Sequence, residues 1–102
     1  MIPVPVPKPR RSHVPDFRAW IREHGRCVVC RSRNVDPHHV RSRGAGGGDR
    51  ENIVPLCRVH HDEVGRIGRL TFEAKYRVEL RAVAGLTWRI YRHEVLWRRL
   101  PF

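Results

Sequence analysis

The feature that most constrains this chain is a concentration of cysteine and histidine between residues 27 and 61. All three cysteines of the protein and four of its seven histidines lie there: Cys27, Cys30, His38, His39, Cys57, His60 and His61. Thiolates and imidazoles are the usual ligands of structural zinc, and histidine is the usual proton acceptor near neutral pH. Three cysteines cannot all pair with one another in one chain, so the pattern favours a metal site over a disulfide framework.

The pair Cys27 and Cys30 also fits a redox Cys-x-x-Cys motif. Such a motif usually opens a helix after a strand in a thioredoxin-like fold, and this chain lacks that pattern. Two thiolates at this spacing can instead hold one zinc ion from a tight turn, and Arg26 and Arg31 favour their ionised form. We interpret the pair as part of a zinc site.

The chain is strongly basic, with 21 lysine and arginine residues against 10 acidic ones and a net charge of +11. Apart from Lys8 and Lys75 the basic residues are arginines, whose forked guanidinium matches phosphate oxygens. The composition favours a nucleic-acid partner, although a solvated basic protein or a binder of anionic membranes would share this charge.

At 102 residues the chain is expected to form one domain with a thin core, which a bound metal would stabilise. No apolar stretch approaches the about 20 residues that cross a bilayer. The first residues also lack the charged and apolar segments of a secretory signal. We expect a soluble cytoplasmic protein with no membrane partner, and its oligomeric state does not follow from the sequence.

The N-terminal part alternates proline with valine or basic residues, which predicts a disordered or extended Pro/Arg-rich arm over residues 1–14. The folded domain is expected over residues 15–102. Asp16 is the expected N-cap of a first short helix, and Gly25 the residue that ends it.

The middle of the chain predicts two strands joined by a loop. We expect a turn at residues 34–37 and an extended segment from His38 to Arg43. A flexible glycine-rich loop follows at residues 44–49 and a second strand at residues 53–56. The loop is not a phosphate-binding P-loop, because no Gly-Lys-Ser/Thr follows it.

Three further helices are predicted. The first covers Cys57 to about Val64, with Gly65 and Gly68 as breakers, and puts residues 57, 60 and 61 on one face. The C-terminal helices cover about residues 71–99, divided at Gly85. Thr71 is the expected cap of the first of them. Four arginines of the last helix are expected to face water or phosphate: Arg89, Arg92, Arg98 and Arg99.

The order of strand, glycine loop, strand and helix, with candidate ligands on the first strand and the helix, resembles the HNH endonuclease family of the zinc-stapled phage and prophage type. The resemblance covers about residues 16–84. It depends on the cysteine pair, the Asp-Pro-His-His-Val sequence at 36–40, the glycine loop, Asn52 and the segment from Pro55 to His61. It implies an α+β fold with a small ββα-metal (His-Me finger) core at about residues 36–64, flanking helices and a structural zinc.

The resemblance also implies two metal sites. Structural Zn²⁺ would be held by four residues: Cys27, Cys30, Cys57 and His60. A common family pattern has cysteine where this chain has His60, so His60 and His61 are hard to tell apart by sequence. A catalytic divalent ion would be held by His38 and His61. Histidine at position 38, where the family often has aspartate, shifts the preference from Mg²⁺ toward Mn²⁺, Ni²⁺ or Zn²⁺.

The name-giving catalytic residues of the family fall on His39, Asn52 and His61. By resemblance, His39 is the general base that takes a proton from water, and Asn52 fixes the loop so that the first strand presents His39. Adjacent residues of a regular strand, such as His38 and His39, point to opposite faces, so the two can serve one site only if the strand ends or twists there, as Pro37 and the glycine loop would allow. The nearby acidic residues Asp49, Glu51, Asp62 and Glu63 could support the site residues through hydrogen bonds, but the sequence favours solubilising charges for each of them.

The hypothesis is a metal-dependent DNA endonuclease with little sequence preference, acting in phage or prophage DNA processing. Four arginines near the predicted site are expected to bind DNA phosphates: Arg41, Arg43, Arg50 and Arg58. A non-catalytic, zinc-stabilised nucleic-acid-binding module is the alternative. A small redox or metal-trafficking protein would explain the thiols but not the charge.

Overall fold

The computed structural model describes residues 12–96, with side chains placed up to residue 95. In chain order its elements are helix α1 (Pro15–His24), strand β1 (Val35–His39), a 3-10 turn (Arg43–Ala45), strand β2 (Ile53–Cys57), helices α2 (Arg58–Ile67), α3 (Arg69–Tyr76) and α4 (Leu80–Tyr91), and a π-helical turn (Arg92–Leu96). The predicted small α+β class is therefore confirmed. Residues 1–11 of the arm predicted over residues 1–14 lie outside the described residues, and so do Arg98 and Arg99.

The sheet consists of β1 and β2, paired antiparallel with Val35 opposite Cys57 and His39 opposite Ile53. The expected turn at residues 34–37 is wrong, because β1 already begins at Val35 and ends at His39. Pro37 lies in the strand directly opposite Pro55. Two residues without an amide hydrogen can face each other where the antiparallel ladder makes no hydrogen bond.

Helix α1 ends at Gly25 as predicted, but its N-cap is Val14 and not Asp16. Proline is favoured in the first helical position because its fixed φ suits a helix and its missing amide hydrogen has no partner there. Pro15 therefore starts the helix one residue before Asp16. The carboxylate of Asp16 instead lies in the first turn, where it complements the helix dipole.

The boundaries of the later helices differ from those predicted. α2 runs through Gly65 and ends at Gly68, which has a φ of +87°. α3 ends at Arg77, whose φ is +52°, and the Glu73 carboxylate accepts a hydrogen bond of 2.7 Å from the Leu80 amide at the start of α4. The predicted break at Gly85 is wrong, since α4 continues through it. The described chain contains no helix long and apolar enough to cross a membrane.

Aromatic rings join α1 to α4. Phe17 lies 5.0 Å from Trp88 and 4.9 Å from Tyr91 between ring centroids. Phe17 and Tyr91 are almost fully buried, and so is every residue of β2. β2 is therefore enclosed on both of its faces, whereas β1 is only partly buried after Val35, and β2 can position the residues that follow it.

Candidate metal centre and histidine site

The three cysteines and His60 form one compact cluster. Their donor atoms all lie within 4.8 Å of one another. Within residues 12–96, these four residues form the cluster of histidine, cysteine or acidic side chains that could hold a metal ion. The Sγ atoms of Cys30 and Cys57 are 3.7 Å apart. The Nδ1 atom of His60 is 3.5 Å from the Sγ of Cys27 and 3.1 Å from that of Cys57.

These distances fit zinc. With zinc–sulfur bonds of about 2.3 Å and zinc–nitrogen bonds of about 2.0 Å, a tetrahedral shell places its ligands roughly 3.5–3.8 Å apart. The Cys30–Cys57 and Cys27–His60 distances lie in this range, and the Cys57–His60 distance is slightly short. The four residues could therefore hold a metal ion such as zinc, as predicted.

Backbone hydrogen bonds shape the turn that carries Cys27 and Cys30. The Cys27 amide donates to the Ser32 carbonyl at 2.8 Å, and the Arg31 amide donates back to the Cys27 carbonyl at 2.9 Å. The Val28 amide donates to the Pro55 carbonyl of β2 at 3.2 Å. This last bond fixes the turn to the strand whose end carries Cys57.

The thiols of the cluster differ in pKa. Burial opposes ionisation of Cys27, but hydrogen bonds from the backbone of Cys30, Cys57 and Val29 outweigh it and lower its pKa to about 6. Burial raises the pKa of Cys57, and the neighbouring thiols add to this effect. One thiol is thus prepared to bind metal as a thiolate near neutral pH, whereas the other would be ionised by the metal itself.

The structure distinguishes the two adjacent histidines of α2. His60 lies among the cysteines, while the ring of His61 lies beside His38 of β1. The ring of His60 also packs edge-on against Tyr76, with 5.4 Å between centroids. The Tyr76 hydroxyl donates to Glu63, a carboxylate that sequence reasoning took for a solubilising group and that is only 8% exposed.

His38 and His61 lie together. Their ring centroids are 5.0 Å apart in an edge-on arrangement. The Nδ1 atom of His61 is buried without a hydrogen-bond partner, 3.6 Å from a carboxylate oxygen of Asp36. Burial, reinforced by the charges of His61 and His39, lowers the pKa of His38 to about 4, so its imidazole is neutral at neutral pH. Neutral imidazole is the form that binds metals.

His39 contacts Asp49, an acidic residue for which the sequence favoured a solubilising charge over support of the site. Its Nε2 atom lies 2.8 Å from the Oδ1 atom of Asp49, a residue only 1% exposed. The prediction that Asp49 serves solubility is therefore wrong. Burial opposes its ionisation, but hydrogen bonds from His39 and the Val14 amide, together with the charge of Arg18, hold the pKa of Asp49 below its usual value.

Asn52 makes three hydrogen bonds across the loop between the strands. Its Oδ1 accepts from the Arg41 amide at 2.8 Å, and its Nδ2 donates to the carbonyls of Arg41 at 2.9 Å and Gly48 at 2.8 Å. The side chain thus ties both ends of the loop together, which is the contact implied by the resemblance. Its place in catalysis stays a prediction.

The glycines of the loop permit close packing of the chain against itself. A Cβ atom at Gly47 would lie 1.9 Å from the Arg41 carbonyl oxygen, and one at Gly48 would lie 2.8 Å from the Ser12 amide nitrogen. The Ser12 hydroxyl accepts from the amides of Asp49 and Arg50, each at 2.9 Å. This part of the loop is packed, although a flexible loop was predicted.

The four predicted DNA-binding arginines are all exposed. Arg41 and Arg43 lie on the loop. The guanidinium of Arg50 lies 5.8 Å from the centre of the Trp88 ring. Arg58 forms ion pairs within the protein, at 3.3 Å to Asp36 and 3.8 Å to Asp62. Arg41 and Arg43 are thus the better placed of the four to contact phosphate.

Comparison with known proteins identifies relatives of the chain. A family model described as "Protein of unknown function (DUF968)" matches residues 4–89. The "Uncharacterized protein YdfU" of Escherichia coli (strain K12) is 33% identical over an alignment of 82 residues that covers 76% of this chain. The match covers 23% of that relative, so the chain spans about a quarter of its length. No solved structure was found to match. Because the family model covers most of the chain, the protein belongs to the DUF968 family.

Proposed function

We propose that this protein is a metal-dependent DNA endonuclease whose core is a ββα-metal fold of the HNH type. The observation that carries the proposal is the arrangement around β1. The ring of His39 contacts the buried carboxylate of Asp49. The ring of the preceding residue, His38, lies beside that of His61 at the start of α2. This arrangement supports His39 as the candidate proton acceptor and His38 and His61 as the candidate ligands of a metal ion.

The donor set favours two metal ions with separate purposes. Cys27, Cys30, Cys57 and His60 would hold a structural zinc. His38 and His61 would hold the catalytic divalent ion, and the buried Nδ1 of His61, which has no hydrogen-bond partner, is the kind of atom that a cation satisfies. When bound there, the ion would supply charge stabilisation for the phosphate and the leaving oxygen.

The chain's own residues then perform the remaining work. His39 takes a proton from the attacking water, whose oxygen forms the new bond to phosphorus while the bond to the leaving sugar oxygen breaks. The hydrogen bonds of Asn52 to Arg41 and Gly48 hold together the two ends of the loop that follows His39. Exposed arginines, of which Arg41 and Arg43 are the best placed, bind the phosphate backbone without reading sequence.

The experiment is a plasmid-cleavage assay with purified protein in Mn²⁺, Mg²⁺ or Ni²⁺, with a chelator control. His39→Ala should keep the fold and the tightly bound zinc but reduce the cleavage rate by about 10²–10⁴, the usual contribution of a general base. His24→Ala is the matched control, because this exposed histidine lies at the end of α1 and outside the site.

Two results would contradict the proposal. Cleavage by His39→Ala at the wild-type rate would remove the general base. Absence of cleavage by the wild type in every metal, with retained DNA binding, would favour the zinc-stabilised binding module.

A further inference from the structure

Asp49 is the one carboxylate in the described chain that is almost completely buried and bonded to a predicted catalytic residue. Its Oδ2 accepts a hydrogen bond of 2.6 Å from the Val14 amide and lies 3.4 Å from Nε of Arg18. Its Oδ1 is left to His39 at 2.8 Å. Each oxygen therefore has a partner of its own.

The location of the proton on His39 follows from this pairing. An ionised carboxylate can only accept hydrogen bonds, so the nitrogen 2.8 Å from Oδ1 must donate. The proton of neutral His39 then resides on Nε2. Since neutral imidazole carries one ring proton, Nδ1 is left as an acceptor.

We propose that Asp49 is a positioning residue of the endonuclease, which fixes the His39 ring and keeps Nδ1 free to take the proton of the attacking water. The inference rests on the proposed function. The proton moves from water to Nδ1, the water oxygen bonds to phosphorus, and the released sugar oxygen takes a proton from solvent. The Asp49 carboxylate then faces a positively charged imidazolium and stabilises it.

The contacts of Asp49 extend to the N-terminal segment of the described chain. Ser12 binds the Asp49 amide, Val14 binds the side chain, and Arg18 contributes its charge. These contacts alone would give Asp49 a structural role, which is to tie residues 12–18 to the loop. An experiment must separate this structural part from the positioning of His39.

The first measurement reads the proton directly. In zinc-loaded wild-type protein labelled with ¹⁵N, the ring nitrogens of His39 should show a protonated Nε2 and an unprotonated Nδ1. A proton on Nδ1 would overturn the proposal, and this result needs neither DNA nor cleavage.

The second measurement compares two variants. Asp49→Asn keeps the shape but removes the charge, and should lower kcat on the order of 10- to 100-fold while KM for DNA changes by less than about threefold. Ser12→Ala removes two hydrogen bonds to the same loop but leaves the carboxylate, and should keep kcat within about threefold of the wild type. Thermal melts establish that both variants are folded.

The outcomes separate the two proposals. Wild-type kcat in folded Asp49→Asn, beside an inactive His39→Ala, overturns the positioning and leaves the endonuclease intact. An equal loss of kcat in Ser12→Ala and Asp49→Asn would assign the effect to the packing of the loop. That result would also overturn the positioning of His39 by Asp49. A wild type that cleaves no DNA overturns the proposed function itself, whatever the ring nitrogens show.

Discussion

Residues 57–61 contribute to two neighbouring clusters, the cysteine cluster and the histidine site formed by His38, His39 and His61. The two clusters differ in how many donor atoms they bring together. The cysteine cluster gathers four donors from two segments into one shell. The histidine site has two imidazoles in contact, with the third, His39, held by Asp49 and the loop. The first has the four donors of a tetrahedral ion, whereas the second would, in the proposed function, leave positions open for other ligands.

In the proposed function, the cysteine cluster therefore serves stability and the histidine site serves reactivity. Structural zinc sites are saturated by protein ligands, whereas catalytic sites keep an open position. Because His60 and His61 are adjacent in one helical turn, anchoring one of them to the cysteines also determines where the other points. The cysteine cluster should therefore determine whether the domain folds, and the histidine site should change with little effect on folding.

The largest effect is expected from breaking the cysteine cluster. Cys57→Ser should leave the domain unfolded at room temperature, because structural zinc in small domains contributes on the order of 10 kcal/mol. Circular dichroism and the metal content by mass spectrometry measure this. His61→Ala is the contrasting variant and should retain the tightly bound zinc and a cooperative melt. An unchanged melt of Cys57→Ser would contradict the distinction between the clusters.

A smaller effect is expected from the loop that supports the histidine site. Gly47→Ala should lower the free energy of unfolding by about 2 kcal/mol or more, because the new Cβ meets a backbone oxygen that cannot move cheaply. Gly44→Ala is the matched control, with its nearest neighbour at 4.0 Å, and should stay within about 0.5 kcal/mol of the wild type. Urea unfolding of the two variants compares them, and equal stabilities would show that the loop is not packed.

The smallest effect concerns the pH dependence contributed by His38. Its pKa is lowered to about 4 in the folded state, chiefly by burial, so the unfolded chain binds this proton more readily. The stability that neutral His38 contributes is complete above the ordinary histidine pKa of about 6.5 and falls as the pH is lowered toward 4.

The measurement is the difference in unfolding free energy between the wild type and His38→Gln. The cysteine cluster is common to both proteins, so its own pH dependence cancels. The difference should decrease as the pH falls through this window and level off below it. A constant difference would mean that His38 is not desolvated in the folded state.

The sequence predicted the cysteine cluster because its residues are chemically distinctive and two of its spacings are local. The pair at residues 27 and 30 must share a turn, and Cys57 and His60 share the first turn of a helix. The choice between His60 and His61 could not be made, since both lie on the face predicted for ligands. Only the direction of α2 relative to the turn decides between them.

The contact between Asp49 and His39 could not be predicted from the sequence for a different reason. Asp49 looks like a loop residue, and its burial depends on Ser12 and Val14, far away in the sequence. No local pattern indicates such a contact. Packing also explains why the predicted helix break at Gly85 was wrong: a glycine costs a helix only about 1 kcal/mol, and α4 buries Ala84 and Trp88 on either side of it.

The facing prolines of the sheet have a consequence for association between molecules. Exposed strand edges invite pairing with other chains, which leads to aggregation. Pro37 deprives the middle of β1 of an amide donor, and the outward carbonyl of Pro55 in β2 already accepts from Val28. Neither edge offers a continuous row of free donors and acceptors. The small sheet is thereby protected against growth into an intermolecular one.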